Sequence, residues 1–171
     1  YMYVYCIYSV CVYIYAKMLV CLTAKSHAMS SASTASSSVS SGTLSVLVVD
    51  SDVDAAGRME QALETRSASV DVGWDRVSCS CVTTLQDLHH IDLTPFDVIV
   101  SALMFEDGCG LDVLVFVQGT SPETPVIMTG DAVDASVAVE AIRGGAVEFV
   151  LQTGHEDITM PLAVEKAFVQ G

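Results

Sequence analysis

Side chains able to do chemistry collect where the apolar runs of this chain stop. Asp50-Ser51-Asp52 follows LSVLVV, Thr129-Gly130-Asp131 ends PVIMTGD, and Gln152 follows VEFVL. DVIVSA closes on Ser101 and Ala102, with Glu106 and Asp107 a few residues on. Carboxylates are hard donors for cations, and hydroxyl and amide groups add hydrogen bonds. The end of DVIVSA, where a buried strand meets its turn, is where chemistry is expected, yet Ala102 carries no reacting group. Ser101 is one residue away and so faces the other side of a strand, with no positioned base to activate it. Glu106 and Asp107 fall in the loop beyond, where solvated acids are expected.

The elements that must position these residues follow from periodicity. LSVLVV reads as a first strand, and AAGRMEQALE, with apolar positions at helical spacing, as a first helix. Val70, Val72 and Trp74 alternate as a weaker second strand, and VTTLQDLHH reads as the second helix, with His89 and His90 on its surface near the end. DVIVSA and GLDVLVFV form the third pair, PVIMT and VDASVAVEAIRGG the fourth. VEFVL and PLAVEKAFV form the fifth, with Pro161 in the first turn of the last helix and Asp157 as a cap. Strands that are apolar throughout, each followed by a helix, predict an α/β fold: a doubly wound parallel sheet with helices on both faces. Such sheets bind ligands beyond the carboxyl ends of their strands, where the residues above lie.

Composition divides the 171 residues into three parts. Residues 1–24 form a hydrophobic, Tyr-rich extension, read as a non-native or disordered segment, with a membrane anchor and an export signal as alternatives. Residues 25–42 are a Ser/Ala-rich linker too polar to offset its ordering entropy. Residues 43–171 are the folded domain and carry five Lys and Arg against 21 Asp and Glu, a net −16. That charge repels nucleic acid and anionic lipid, so neither is expected as a partner, and membrane contact is expected only if residues 1–24 are an anchor. The expected location is cytoplasmic. Cys79, Cys81 and Cys109 do not have metal-site spacing, and no Walker loop, G-x-S-x-G elbow or H-E-x-x-H is present.

VLVVDSD, FDVIVSALMFEDGCGLDVL, TPVIMTGDA, AVEAIRGGAVEFV and LAVEKAF, in this order, resemble the receiver domain of two-component response regulators. The resemblance spans about Leu44 to Phe168 and implies a five-stranded sheet of order 2-1-3-4-5. It also implies an Mg²⁺ site, a phosphate-accepting aspartate, a switch hydroxyl and a lysine. Asp50 matches the first metal-binding acid, Ser51 replaces the second, and Asp52 stands one residue late. Counting back from Gly110 places Ala102 at the acceptor. Thr129 matches the switch, Gln152 replaces the lysine, and Thr153 replaces the proline after it. No resident cofactor is expected, and Mg²⁺ only weakly.

The function expected is therefore a receiver-like domain of two-component signalling that does not accept phosphate, is not an enzyme, and acts through protein contacts. By the same resemblance the contact face holds Val133, Val137, Ile142, Phe149 and Lys166, and the partner is a sensor histidine kinase or another signalling protein. Since the sequence stops shortly after Phe168, no output domain is expected to follow. Two alternatives stay open: a functional single-domain response regulator phosphorylated by a sensor histidine kinase, and a small α/β enzyme of unrelated chemistry.

Overall fold

Leu44, Val46 and Val48 alternate with Leu47 and Val49 along the first strand, and all five are buried, so this strand has core on both faces. The computed structural model describes residues 42–68, 72–131, 135–152 and 156–170. Strand β1 (Gly42–Val49) leads to helix α1 (Ala55–Ser67), followed by β2 (Trp74–Val82) and the single turn α2 (Leu85–Leu88). After β3 (Val98–Ala102) a small hairpin, β4 (Met104–Phe105) and β5 (Gly108–Cys109), runs directly into α3 (Gly110–Thr120). The chain continues through β6 (Val126–Gly130), α4 (Ala135–Arg143), β7 (Glu148–Leu151) and α5 (Glu156–Gln170).

The main sheet has order β2-β1-β3-β6-β7 with every pairing parallel. This is the doubly wound α/β arrangement predicted, with the first chain excursion going one way and the rest the other. On one face α1 and α5 cover Leu44, Val46, Val48, Val98, Val100 and Ile127, using Leu63, Met160, Val164 and Ala167. The other face presents Leu47, Val49, Ile99 and Met128, and the helices of that side bury Leu88, Leu111, Leu114, Val117 and Ala141. Every residue of β3 and of β6 is buried, as central strands with helices on both sides must be.

Three expectations are corrected. The second strand runs over Trp74–Val82, so that Trp74 opens it and Val72 precedes it, and Thr83 and Thr84 are not helical. This is an edge strand paired only with β1, so its outward positions take small polar residues, and its apolar pattern is diluted by Ser78, Cys79, Ser80 and Cys81. The following helix shrinks to Leu85–Leu88, opened by the Thr84 hydroxyl, which accepts from the Asp87 amide. Pro161 lies in the second turn of α5 rather than the first, because the helix begins at Glu156. The extension 1–24 and nearly all of the linker 25–42 lie outside the described residues, as do Val70, Val133, Thr153, His155 and the side chain of Asp157.

Two long-range contacts tie the C-terminal helix down. Arg66 of α1 makes a forked bond to Glu165 of α5, with Nη2 at 2.7 Å and Nε at 3.0 Å from the same carboxylate oxygen. At the start of β2 the Trp74 ring meets Phe168 edge-on, centroids 5.4 Å apart. Gly145, at φ +105°, turns the chain from α4 into the last strand, a conformation that L side chains rarely adopt.

Gly110 matters for a different reason. A Cβ there would lie 2.5 Å from the carbonyl oxygen of Ala102 and 2.6 Å from Met128 Cε, so the start of α3 can sit against the end of β3 only with a bare backbone. Gly110→Ala is expected to lower stability by about 1–3 kcal/mol through overpacking, measured as a lower urea midpoint at unchanged m-value.

Candidate functional site

The register of the sheet gathers the strand ends. Val49 pairs with Ser101, and Ala102 pairs with Thr129, so Asp50, Ala102 and Thr129 stand side by side at the ends of three neighbouring strands. Gln152 follows β7, with its amide held by the Gly130 carbonyl at 2.8 Å. Asp50, Asp52, Ala102, Thr129 and Gln152 all line one pocket of about 650 Å³, open to solvent, whose apolar floor and walls come from Val48, Val100, Met59, Ala62 and Met160.

Asp50 and Asp52 are held by the turn itself. Asp50 Oδ1 accepts the Asp52 amide at 3.0 Å, and Asp52 Oδ1 accepts the Asp54 amide at 2.9 Å, two successive side-chain turns that lead into α1. The second oxygen of Asp52 is taken by Arg58, Nη2 to Oδ2 2.7 Å. The hydrogen bond from Arg58, more than any other contact, lowers the Asp52 pKa, and the Arg58 pKa rises in turn. Arg58 also lines the pocket. Sequence reasoning passed over it; the available signal was a cation six residues beyond Asp52 in a domain with five basic residues.

The family's Mg²⁺ would need several hard oxygens converging on one point. Asp52 is already paired with Arg58, Ala102 supplies no oxygen, and Ser51 is exposed and absent from the pocket wall. Among the described residues no group of three or more His, Cys, Asp or Glu is placed to hold a metal ion. The residues present do not fit that ion.

Ala102 is 8% exposed and its methyl faces the pocket. Ser101 faces the other way: it is fully buried, and its hydroxyl donates to the Ala102 carbonyl at 3.0 Å, beside Gly110. Thr129 is 5% exposed, and its hydroxyl has no hydrogen-bond partner although its side chain lines the pocket.

Glu106 and Asp107 form the turn of the β4–β5 hairpin. Glu106 is exposed, whereas Asp107 departs from the expectation of a merely solvated acid: Oδ1 accepts the Leu85 amide at 2.9 Å and Oδ2 the Gln86 amide at 3.2 Å. It thus holds the start of α2 to the loop after β3 and lies away from the pocket wall. His90 Nδ1 bonds the Gln86 carbonyl, and the His89 ring rests 4.6 Å from that of Phe116, so both histidines have local structural contacts.

Of the predicted contact face, Val137 is buried and belongs to the core, because the inward side of α4 is Val137 and Ala141. Ile142 is 48% exposed, Phe149 is half-buried, and Lys166 is exposed and paired with Glu148 at 2.9 Å. Cys79 and Cys81 are free thiols whose pKa values burial raises, that of Cys79 to about 12, which keeps them protonated. No helix among the described residues is long and apolar enough to cross a membrane.

Two outcomes test this geometry. The Leu85 amide, first among its contacts, depresses the Asp107 pKa, so its contribution is complete above the unfolded value near 3.9 and is lost as pH falls through the lower folded value. Asp107→Ala should therefore lower Tm at pH 7, with the difference from the parent closing below about pH 4. Thr129→Val removes an unpaired buried hydroxyl at nearly constant volume and should leave stability unchanged or raise it by up to about 1 kcal/mol in urea unfolding.

No family model matches the chain. Among curated proteins it is similar to the response regulator protein PilR of Pseudomonas aeruginosa, 34% identical over 56 residues, 33% of this chain and 13% of that protein. It is also similar to the acid tolerance regulatory protein ActR of Rhizobium meliloti, 23% identical over 122 residues, 71% of this chain and 59% of that one. The chain thus spans 13% and 59% of the length of these relatives. Among solved structures, the beryllofluoride-activated receiver domain of DrrB superposes at TM-score 0.59 with 22% identity, covering 76% of this chain and all of that one. The beryllofluoride-activated NtrC4 receiver domain dimer gives TM-score 0.59 and 26% identity over 74% of this chain and 97% of that one. The described unit has the fold of the receiver domains of response regulators, the CheY-like arrangement.

Proposed function

We propose that this domain is a signalling receiver that no longer accepts a phosphoryl group and works through contacts with another signalling protein in the cytoplasm. The observation that carries the reading is Ala102. It lies between Asp50 and Thr129 at the strand ends, where a phosphoryl acceptor would stand, and offers only a methyl group. Three neighbours support the same reading. Asp52 is neutralised by Arg58 instead of being left for a metal ion, Gln152 brings no positive charge, and the Ser101 hydroxyl is turned away into the opposite face. Phosphoryl transfer needs a nucleophile, neutralisation of the transferred oxygens and a cation on the product, and this pocket is short of the first and weak in the others.

The contacts left for signalling lie on the outer side of α4, β7 and α5, where Val139, Ile142, Leu151, Ile158 and Leu162 expose 45–61% of their surface. Lys166, paired with Glu148, adds charge beside them.

The test uses the full chain with acetyl phosphate and Mg²⁺, read by intact mass. The unsubstituted protein is expected to gain no phosphoryl adduct, and Ser51→Asp combined with Ala102→Asp and Gln152→Lys is expected to gain one. A carboxylate-linked adduct on the unsubstituted chain would overturn the reading and favour a working response regulator.

A further inference from the structure

The main sheet ends differently on its two sides. At one side β7 is a strand of four residues; at the other β2 runs for nine, Trp74 to Val82, and among the described residues it pairs with β1 alone. Every second residue of such a strand points its amide and carbonyl away from its one partner. Native edges are usually shielded by charge, proline, a bulge or shortness. From Val77 to Cys81 this edge has none of these. Its register with β1 is unbroken from Arg76 to Val82, and the stretch is Val77, Ser78, Cys79, Ser80 and Cys81, with the charged Asp75 and Arg76 only at the start of the strand.

What stands beside the edge is acidic. Cys79 and Cys81 lie on the face of β2 that packs with α1, whereas Ser78 and Ser80 are exposed on the other. Burial first, and then the charges of Glu60 and Glu64, raise the Cys79 pKa, so both of these α1 carboxylates are within electrostatic reach of the middle of the strand. Burial and then the charge of Asp50 do the same to Cys81, further along. Among the described residues neither Glu60 nor Glu64 has a cation partner. The two are one helical turn apart, about 6 Å along the axis. Alternate side chains of a strand are spaced nearly the same, about 6.6 Å.

We infer that the free edge of β2 is a docking site for an extended, basic segment of a partner protein, which adds to the sheet as a further strand. Its backbone pairs with the outward amides and carbonyls between Val77 and Cys81. Lys or Arg at alternate positions lie on the α1 side and meet Glu60 and Glu64, while small or β-branched residues lie beside Ser78 and Ser80. Charge selects this occupant. Residues 43–171 carry a net −16, so a second copy of the chain would bring acid against acid, whereas a basic segment is drawn in. The edge stands at the opposite end of the strand order from β7, so this surface is distinct from the contacts proposed on α4, β7 and α5, and it uses no residue of β3.

The probe is the peptide acetyl-Thr-Lys-Val-Lys-Val-Lys-Thr-amide, titrated into the full chain and followed by calorimetry, amide shifts and hydrogen exchange. Saturable one-site binding is expected, with new exchange protection between Val77 and Cys81. The same peptide with Glu in place of Lys, or with every backbone amide N-methylated, is expected not to bind. Glu60→Gln combined with Glu64→Gln should weaken binding about five-fold, the scale of two exposed ion pairs. Raising salt from about 0.01 M to about 0.1 M should weaken it as well, since the screening length falls from about 30 Å to about 10 Å. No binding, equal binding of the Glu peptide or of the N-methylated one, an affinity unmoved by the Glu60 and Glu64 substitutions, or shifts centred on another surface would overturn the inference. So would a concentration-dependent dimer of the chain alone with Val77 to Cys81 protected, because a second copy would then hold the edge.

Discussion

Val98 to Ala102 are hydrogen-bonded to β1 along one edge and to β6 along the other, and none of the five reaches solvent appreciably. Much else follows from that double pairing. A strand with neighbours on both sides and helices over both faces can satisfy its backbone only within the sheet, so its register is fixed by burial rather than by turns. A slip of one residue would send Ala102 to the α3 side and bring the Ser101 hydroxyl to the pocket. The bare backbone of Gly110 then lets α3 begin directly against the strand end, on the face opposite the pocket.

Much of this was legible in the chain itself. LSVLVV, DVIVSA, PVIMT and VEFVL are aliphatic runs of strand length, and their positions in the structure agree closely with the reading. β2 was not legible in the same way. An edge strand has one pairing partner and a partly wet face, so WDRVSCSCV mixes small polar residues with Val77 and Val82, and no simple alternation survives. Helix α2 was overread because Val82 of VTTLQDLHH ends the preceding strand and the helix itself runs only from Leu85 to Leu88, capped by Thr84.

The site residues were legible as positions but not as contacts. Counting from Gly110 singled out Ala102, and the strand register stands that residue between Asp50 and Thr129. What the count could not supply was the use of each acid. Asp52 and Asp107 look alike in sequence, yet one closes on a guanidinium from the first turns of α1 and the other on two backbone amides of α2. These partners are six and roughly twenty residues away, outside any local pattern, and both depend on loop paths that only the folded sheet defines.

The edge-on packing of Trp74 against Phe168 has an optical consequence. Trp74 is the sole tryptophan of the chain, it is buried where β2 begins, and its ring nitrogen has no hydrogen-bond partner. Its emission therefore comes from an apolar setting that is completed by the last helix docked on the edge of the sheet. The protein carries its own fluorescent gauge of that docking, with no label required.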